Sequence, residues 1–272
     1  MAMPGQRGEW IRRTLYPALP FLGVHAACGL VIVFPPTGAL LVLAASGYVL
    51  RMWAVTAGYH RYFAHRAYRT SRTFQLVLAV LAGTAMQQGP LWWASWHRQH
   101  HKHTDAPGDP HSPTRDGFWH AHVGWIFDGE HYGADLSNVK DLARYPELRW
   151  LDVHSNIPVV GYAALCLAIG GPAGVVWGFA VSSVLLAHAT FLINSVAHVW
   201  GTRRYETNDT SRNNALLAML TFGEGWHNNH HHYMTSVRQG FRWWELDLTY
   251  YSLLLLAKLG IVWELRQPPG RR

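Results

Sequence analysis

Residues 14–58 read TLYPALPFLGVHAACGLVIVFPPTGALLVLAASGYVLRMWAVTAG and decide the fold. Two apolar runs, 14–35 and 38–58, meet at a turn formed by Pro35 and Pro36. A helix needs about 20 apolar residues to span about 30 Å of hydrocarbon, so each run is long enough to cross a membrane. The stretch therefore predicts a hairpin of two transmembrane helices.

A second pair of apolar runs covers 157–170 and 173–196, on either side of the sequence GGPAG. The first run is short, and the second continues into the polar sequence NSVAH. No third pair of this kind is evident in the sequence. We therefore predict four transmembrane helices arranged as two hairpins.

Residues 74–91 are apolar at first but end in two Gln and a Gly-Pro. If this segment crossed the bilayer, the histidine-rich stretches 60–65 and 97–101 would lie on opposite faces and would share no site. We therefore place it at the interface or against the polar part of the protein. A last apolar run, 252–263, is too short to span and contains Lys258.

The composition indicates a membrane protein with a polar cap. The 272 residues include 14 Trp, 12 Tyr and 10 Phe but only 14% charged residues, whereas soluble domains carry about 25%. The mean hydropathy of -0.03 is nevertheless too low for a chain that lies wholly in lipid. We predict an all-α integral membrane protein forming a single domain, 1–272, with a helical cap built from 59–155 and 199–272.

The net charge of +7 arises from Lys and Arg in loops that flank the apolar runs. They are not gathered on one face with stacking aromatic residues between them, so nucleic acid is not a predicted partner. Their position follows the positive-inside rule and puts the cap and both termini in the cytoplasm. Cys28 and Cys166 lie far apart in apolar runs, which predicts neither a disulfide nor a thiolate metal site.

Histidine is the residue type that points to chemistry. Of 18 histidines, nine fall in four clusters, and two of these clusters repeat the pattern H-x-x-H-H. Neutral imidazole is the commonest metal-ligating side chain. The clusters are HRYFAH (His60, His65), HRQHH (His97, His100, His101), NSVAH (His198) and HNNHH (His227, His230, His231).

Helical geometry divides these histidines between two metal ions. Residues i and i+4 lie about 40° apart around a helix, whereas i+3 falls about 60° to the other side of i. If the two H-x-x-H-H helices face one another, each ion receives the i,i+4 pair of one helix and the i+3 histidine of the other. This gives His97, His101 and His230 for the first ion and His227, His231 and His100 for the second. His60 and His65, near the cytoplasmic end of the second spanning helix, are expected to complete the first shell, and His198 the second.

Further residues are expected near these ions. Asn194 lies four residues before His198 on the same helical face and is predicted to hold a water on the second ion. Asp105, Asp109 and Glu224 are candidates to orient ligand N–H groups. Imidazole alone suits Zn, Cu, Fe or Ni, so the spacing does not choose the metal. Nine ligands are too many for a hydrolytic zinc site, which normally uses three.

Several long motifs in the same order resemble the membrane fatty-acid desaturase family, from about Thr56 to about Trp263. The matching segments are TAGYHRYFAHRAY, WHRQHHKHTDAPGDPHSP, GFWHAHVGW, NSVAHVWGTRRY and GEGWHNNHH. The resemblance implies two iron ions that use O2 and two electrons to make a double bond in an acyl chain. It also implies a separate electron donor, such as a ferredoxin, a rubredoxin or a cytochrome, which we place on the basic stretch 203–212.

The stearoyl-CoA-type members of the family make a cis Δ9 double bond in a bent tunnel. They use a Gln, a Trp and a Thr at the bend, and Gln87, Trp93 and Thr190 stand at the matching places. Packing between helices is the alternative role for these three residues. His25 and His188 lie in predicted spanning segments, and we expect them to act as hydrogen-bonding residues.

The sequence also departs from the animal acyl-CoA enzymes. Basic residues that meet the CoA phosphates are replaced by Ser95 and Trp96 before the second histidine cluster, and by Asp128, Gly129 and Glu130 after HVGWIF. A phosphate group would meet acidic residues there. The resemblance therefore favours bacterial enzymes that act on lipid-linked acyl chains, and with them a bacterial plasma membrane.

Three alternatives remain open at this point. In the first, the substrate is an acyl thioester such as acyl-CoA. In the second, the enzyme is a hydroxylase or decarboxylating oxygenase of the same architecture. The third is a metal transporter or sensor, whose expected path of charged residues through the spanning helices is missing apart from Arg51 and two histidines.

Overall fold

A computed structural model describes residues 18–129 and 133–268. These residues form twelve α-helices, several short 3-10 turns and one two-stranded antiparallel sheet in which β1 (Arg69–Thr70) pairs with β2 (Val262–Trp263). The helices are α1 (Ala18–Ile32), α2 (Gly38–Trp53), α3 (Arg72–Gly83), α4 (Pro90–His103), α5 (Phe118–His122), α6 (Lys140–Ala143), α7 (Pro146–Val153), α8 (Asn156–Gly174), α9 (Ser182–Val199), α10 (Ala215–Leu220), α11 (His227–His232) and α12 (Leu248–Lys258).

The first apolar pair forms α1 and α2. The start of the first predicted run, 14–17, lies outside the described residues. Thr37 caps α2 by accepting a hydrogen bond from the backbone N–H of Leu40, and the two prolines before it favour an extended turn. The second helix does not end at residue 58 as predicted, because a π-helix, Ala54–Ala64, continues it.

The second apolar pair forms one helical run of 44 residues, Asn156–Val199, which includes a π-helix over Val175–Val181. A straight run would be about 66 Å long, but the chain folds back at Gly171 (φ 60°, ψ -153°). The hydroxyl of Tyr162 consequently donates to the backbone oxygen of Gly178, 16 residues away, at 2.9 Å. The run is therefore an antiparallel hairpin, as the GGPAG sequence predicts.

The two long runs, Gly38–Ala64 and Asn156–Val199, are sufficiently long and apolar to cross a membrane. In the second run only 17% of the most apolar 18-residue stretch is buried inside the protein. The core helix of a soluble protein is mostly buried. Two other apolar helices, α1 and α3, are shorter. The helix in the ambiguous segment 74–91 ends at Gly83, and a turn leads from there to α4.

A buried arginine joins the helices of the apolar half. Arg51 on α2 donates to the hydroxyls of Ser182 and Ser183 at the start of α9 and to the backbone oxygen of Thr84 after α3. Its guanidinium also lies 4.3 Å from the centre of the Tyr162 ring. These contacts satisfy a charged group that would be costly in an apolar environment.

Three histidines outside the predicted metal sets connect α1, α9 and α5. Nε2 of His25 lies 3.0 Å from Nε2 of His188, and Nδ1 of His188 lies 3.0 Å from Nε2 of His122. Nδ1 of His122 in turn lies 3.0 Å from the hydroxyl oxygen of Ser195, so the three histidines and this serine form one hydrogen-bonded series. His25 and His188 thus make the hydrogen bonds expected of them, and His122 is buried beside them.

The largest apolar core lies where the π-helical end of α2 meets α3, α4, α7 and α12. It positions the segment that carries His60 against the helix that carries His97. Helix α12 also forms a hydrogen bond with the π-helical end of α2, because the hydroxyl oxygens of Thr249 and Thr56 lie 2.7 Å apart. Fully buried members of this core include Tyr59, Phe63, Leu78, Leu91, Leu148 and Leu253.

Candidate metal centre

Four elements carry the nine clustered histidines. The π-helix at the end of α2 holds His60, and His65 follows directly after its last residue. A π-helix pairs residues five apart, and the backbone N–H of His65 donates to the oxygen of His60 at 3.1 Å. This geometry explains how two histidines separated by five positions point to one place. The others lie on α4 (His97, His100, His101), α9 (His198) and α11 (His227, His230, His231).

One group, which we call the five-histidine set, consists of His60, His65, His97, His101 and His230. One ring nitrogen from each lies within 4.8 Å of those of the others. Nε2 of His65 is 2.8 Å from Nε2 of His97, and Nε2 of His230 is 3.0 Å from that of His101. Helix α4 thus supplies its i,i+4 pair, and α11 supplies its i+3 histidine.

A second group, the four-histidine set, consists of His100, His198, His227 and His231, all of which are buried. Nε2 of His198 lies 3.1 Å from Nε2 of His227. Nε2 of His231 is buried and has no hydrogen-bond partner among the described residues. The two sets have the membership that the helical spacing predicts.

The donor atoms fit transition-metal ions. In each set, Nε2 atoms of different histidines lie 2.8 to 3.1 Å apart. This spacing suits them to bind the same cation. Burial of the rings, followed by the neighbouring imidazoles, lowers the pKa of His65, His97, His101, His227 and His230 well below the ordinary value. Burial lowers the pKa of His231 to about 4 although Asp209 acts in the opposite direction. Neutral imidazoles are the form that binds a metal.

Carboxylates contact the far nitrogen, Nδ1, of several of these histidines. An oxygen of Asp109 lies 2.9 Å from Nδ1 of His100, and Glu224 pairs with Nδ1 of His60. The oxygen of Asp105 is 3.6 Å from Nδ1 of His198. These three contacts are the ones expected of Asp105, Asp109 and Glu224.

A fourth carboxylate was not predicted. Asp209 lies 2.9 Å from Nδ1 of His231, which follows it by 22 residues. It belongs to the loop after α9, and no regular spacing relates it to α11. Its surroundings in the sequence, TNDTS, favour a turn, but they do not identify its partner.

Glu224 is itself held by a buried arginine. Arg61 lies 3.1 Å from Glu224 and 2.9 Å from Asp247. Burial alone would raise the pKa of Glu224, but His60 and Arg61 beside it keep that pKa below its ordinary value. The carboxylate is therefore ionised and able to accept the Nδ1 proton of His60.

Gln87, Trp93 and Thr190 form one hydrogen-bonded group beside the five-histidine set. The amide nitrogen of Gln87 donates to the hydroxyl of Thr190 at 3.1 Å, and the indole N–H of Trp93 donates to the amide oxygen of Gln87 at 3.1 Å. The Trp93 ring stacks on His97 with 4.8 Å between ring centres. The structure thus brings together the three residues that the resemblance assigns to the tunnel bend.

Other predicted residues lie close by. Asn194 is half-buried on α9, one turn before His198. His111 is buried against His100 with 4.5 Å between ring centres. Ser95 is also buried and donates to the backbone oxygen of Trp92, so it does not face a headgroup. Glu130 lies outside the described residues.

Comparison with known proteins gives consistent matches. The family model described as fatty acid desaturase matches residues 33–260. The chain is 39% identical over 224 residues to Delta-9 acyl-lipid desaturase 2 of Arabidopsis thaliana, which covers 81% of this chain and 73% of that protein. It is 36% identical over 263 residues to Delta-9 acyl-lipid desaturase 1 of the same plant, covering 96% and 86%. An acyl-CoA C20 Delta5-desaturase of Anemone leveillei is 36% identical over 267 residues, covering 96% and 84%.

Proposed function

Because the chain belongs to the fatty acid desaturase family and is therefore an oxidoreductase, we propose that it places a cis Δ9 double bond in a lipid-linked saturated acyl chain. The reaction removes two hydrogen atoms from adjacent methylene groups. It consumes O2, two electrons from a donor protein and two protons, and it releases two waters. Two of the relatives named above are Δ9 acyl-lipid desaturases, which supports both the position and the substrate class.

In this proposal each histidine set holds one iron ion, and Asn194 positions a water beside His198. Bound iron supplies the activation of O2 that the removal of hydrogen from an unactivated methylene requires. The chain supplies position and exclusion of water. Burial lowers the pKa of His65, His97, His101, His227, His230 and His231 and so favours the neutral form that binds a metal. The carboxylates beside ligand rings fix which ring nitrogen carries the proton.

One observation carries the proposal: the group formed by Gln87, Trp93 and Thr190 lies directly against the five-histidine set. A saturated acyl chain has no polar group near the reacting carbons, so only the shape of its channel and the fixed end of the chain locate them. Trp93 contacts His97 through its ring and Gln87 through its N–H. We assign this group to the bend that presents one pair of methylenes to the metal centre.

The substrate headgroup is proposed to be a lipid. At one position where the animal acyl-CoA enzymes carry a phosphate-binding residue, this chain has the exposed, acidic Asp128, which disfavours a phosphate-rich headgroup. A relative described as acting on acyl-CoA shows that family membership alone does not decide the headgroup. The competing products are those of an acyl-CoA desaturase, a hydroxylase or a decarboxylating oxygenase.

Product analysis tests the proposal. The chain is expressed in cells that lack an endogenous Δ9 desaturase, and lipid, CoA and free acyl fractions are analysed separately by mass spectrometry with location of the double bond. We expect a Δ9 monoenoic chain to appear first in the lipid fraction. An oxygenated chain or a terminal alkene would overturn desaturation, and early appearance in the CoA fraction would overturn the lipid substrate.

The ligand sets are tested in the same cells. Replacing His100 or His198 by Ala should remove metal from the purified protein and abolish the product. His103→Ala is the matched control, because His103 lies on the same helix as His100 but belongs to neither set. Retention of two ions by the His100 and His198 variants would contradict the assignment.

We further propose that α1, α2 and the two arms of the α8–α9 hairpin cross the membrane and that the cap and both termini lie in the cytoplasm. Long apolar helices and desaturase relatives support membrane association. The relatives described above are plant proteins, so they give no support to a bacterial plasma membrane in particular.

The electron donor is proposed to dock on the loop 203–212. Arg203 is exposed there and donates to the backbone oxygens of Thr207 and Asp209 within its own loop. Arg204 is engaged with Glu245 and Asn229 inside the cap. Charge reversal at Arg203 alone should therefore slow turnover with the natural donor protein more than turnover with a small chemical reductant, which needs no docking site. If turnover falls equally with both reductants, the donor protein does not dock at Arg203.

A further inference from the structure

The four carboxylates that contact ligand histidines are distributed unequally. Three of them serve the four-histidine set. Two lie at the hydrogen-bond distance of 2.9 Å from Nδ1 of His100 and of His231, and the third lies 3.6 Å from Nδ1 of His198, where it acts as a nearby negative charge. The aspartates are Asp109, Asp209 and Asp105, respectively.

The five-histidine set has one such contact, between His60 and Glu224. The charge of this carboxylate is offset by Arg61 at 3.1 Å. Nδ1 of His101 and Nδ1 of His230 are buried without a hydrogen-bond partner among the described residues. These two imidazoles therefore lack an acceptor that would fix their ring proton.

The difference matters because of how a carboxylate acts on a metal-bound imidazole. It accepts the Nδ1 proton, holds the ring in position and makes Nε2 a stronger donor, and losing such a partner typically costs about 10- to 100-fold in metal affinity. Three anionic groups also stabilise a cation more than one carboxylate that is paired with an arginine does. The higher ligand number of the five-histidine set acts in the opposite direction, but two of its five rings lack an acceptor.

We infer that the two ions are held unequally, with the four-histidine set as the tight site and the five-histidine set as the exchangeable one, and that Asp105, Asp109 and Asp209 are the positioning residues that cause the difference. The inference rests on the ligand sets proposed above and adds an order of occupancy to them.

One loop supplies much of the difference. Thr210 donates its backbone N–H to Asp105 at 2.8 Å, and Ser211 donates its own to Asp209 at 2.9 Å. Thr207 also donates its hydroxyl to Asp209 at 2.9 Å. The segment 207–211 therefore holds two of the three carboxylates in place, and its folding is coupled to the tight site.

The test is the rate of metal release from the purified full-length protein loaded with iron. Chelator is added, and metal remaining on the protein is counted over time. We expect two phases of one ion each, with the slow phase assigned to the four-histidine set. Asp209→Asn keeps the side-chain shape and the oxygen that accepts from the loop, and it should accelerate the slow phase about 10- to 100-fold while the fast phase is unchanged.

Two variants control this experiment. Glu224→Gln should accelerate only the fast phase. Asp152→Asn should change neither, because Asp152 accepts the backbone N–H groups of Leu91 and Trp92 at the start of α4 and touches no ligand histidine. Mössbauer spectra of protein loaded with the iron-57 isotope should show that Asp209→Asn alters one of the two iron signals, which general destabilisation would not do.

The possible results separate the two proposals. Two ions that leave in a single phase, or a slow phase that responds to Glu224→Gln and not to Asp209→Asn, would overturn the inequality and leave the ligand sets intact. A wild-type protein that still binds fewer than two ions at saturating iron would overturn the proposed centre and the inequality with it.

Discussion

Gln87 uses both ends of its amide, accepting from Trp93 and donating to Thr190. The three residues come from the turn before α4, from α4 and from α9, so their hydrogen bonds fix three separate parts of the chain relative to the five-histidine set. Each of these contacts is neutral and partly buried, and its loss leaves a polar group without a partner. Such a loss costs about 1–3 kcal/mol.

Replacing Thr190 by Val should therefore loosen the bend without removing metal. Valine has the shape of threonine but offers no oxygen to the Gln87 amide. We expect a lower yield of product and a spread of double-bond positions, measured by mass spectrometry of the lipids, at an unchanged iron content. Thr84→Val is the matched control, because the Thr84 hydroxyl donates only within its own turn, to the backbone oxygen of Leu81. A single double-bond position in the Thr190 variant would indicate that this group serves packing only.

Single residues differ in how well the sequence predicts them. Within each H-x-x-H-H motif, positions three and four apart divide the histidines between two sets, which is a local rule. That the two helices face one another, and that His60, His65 and His198 complete the sets, depends on the fold. Asp105 and Asp109 lie near their partners in the chain and are also predicted. Asp209 is missed because its contact with His231 depends on the path of an irregular loop, which side-chain spacing does not encode.

The α8–α9 hairpin shows how a single residue sets the course of a helical element. Gly171 has a positive φ combined with an extended ψ, a combination that is open essentially to glycine alone. Beyond the turn the two arms approach closely, since a Cβ on Gly178 would lie 3.0 Å from the sulfur of Cys166. Small residues permit this approach, as in other membrane helix pairs.

Replacing Gly171 by Ala should destabilise the protein by about 1–3 kcal/mol, the usual cost of placing a side chain in such a conformation. The measurement is the melting temperature of the purified protein in detergent. Gly161→Ala is the control, since Gly161 lies on the same helix, its φ is not positive, and a Cβ there would meet no neighbouring atom within 4 Å. If both variants melt at the same temperature, the turn does not depend on glycine.

The ion pair between α3 and α7 makes a contribution to folding stability that depends on pH. Arg72 holds Glu147 through two hydrogen bonds of 2.7 Å, and donation from Arg72 lowers the pKa of Glu147 from 4.5 to about 2. A depressed folded-state pKa stabilises the protein above the unfolded value, and this stabilisation is lost as the pH falls from about 4.5 towards about 2.

Glu147→Gln should therefore melt below the wild type at pH 6, and the difference should shrink progressively as the pH is lowered from 5 to 3. The effect is expected to be small, because the arginine is largely exposed and surface pairs contribute little. Arg72→Gln should show the same convergence with the wild type. A difference that stays constant with pH would mean that the glutamate acts through packing and not through its charge.

Elements are predicted well where periodicity or apolar length decides them and poorly where tertiary packing does. The apolar runs 38–58, 157–170 and 173–196 are located by the sequence. The π-helical extension of α2 is not, because a change from i,i+4 to i,i+5 hydrogen bonding leaves the hydrophobic pattern almost unaltered. The end of α3 at Gly83 is missed for a related reason, since Ala85 and Met86 continue the apolar sequence into a turn.

The molecule as a whole consists of an apolar half and a cap that meet at the metal centre. Histidines after α2, on α4, at the end of α9 and on α11 converge, so the cap ends of α2 and α9 must lie on one side of any membrane that they span. If both helices span a membrane, the turn at Pro36 and the turn at Gly171 lie together on the other side. The convergence therefore supports the proposed topology, and the positive-inside rule predicts that the cap faces the cytoplasm.

Cysteine labelling tests this topology in intact membranes. In a Cys28→Ala, Cys166→Ala background, single cysteines are placed at Pro36 and Pro172, in the two turns, and at Asp116, which is exposed in the cap. With a membrane-impermeant maleimide, Pro36→Cys and Pro172→Cys should react only from the non-cytoplasmic face and Asp116→Cys only from the cytoplasmic face, as judged in right-side-out and inverted vesicles. The cysteine-free background provides the control. Reaction of Pro172→Cys from the same face as Asp116→Cys would show that the α8–α9 hairpin does not cross, because a hairpin lying along the surface exposes its turn and the cap to the same solution.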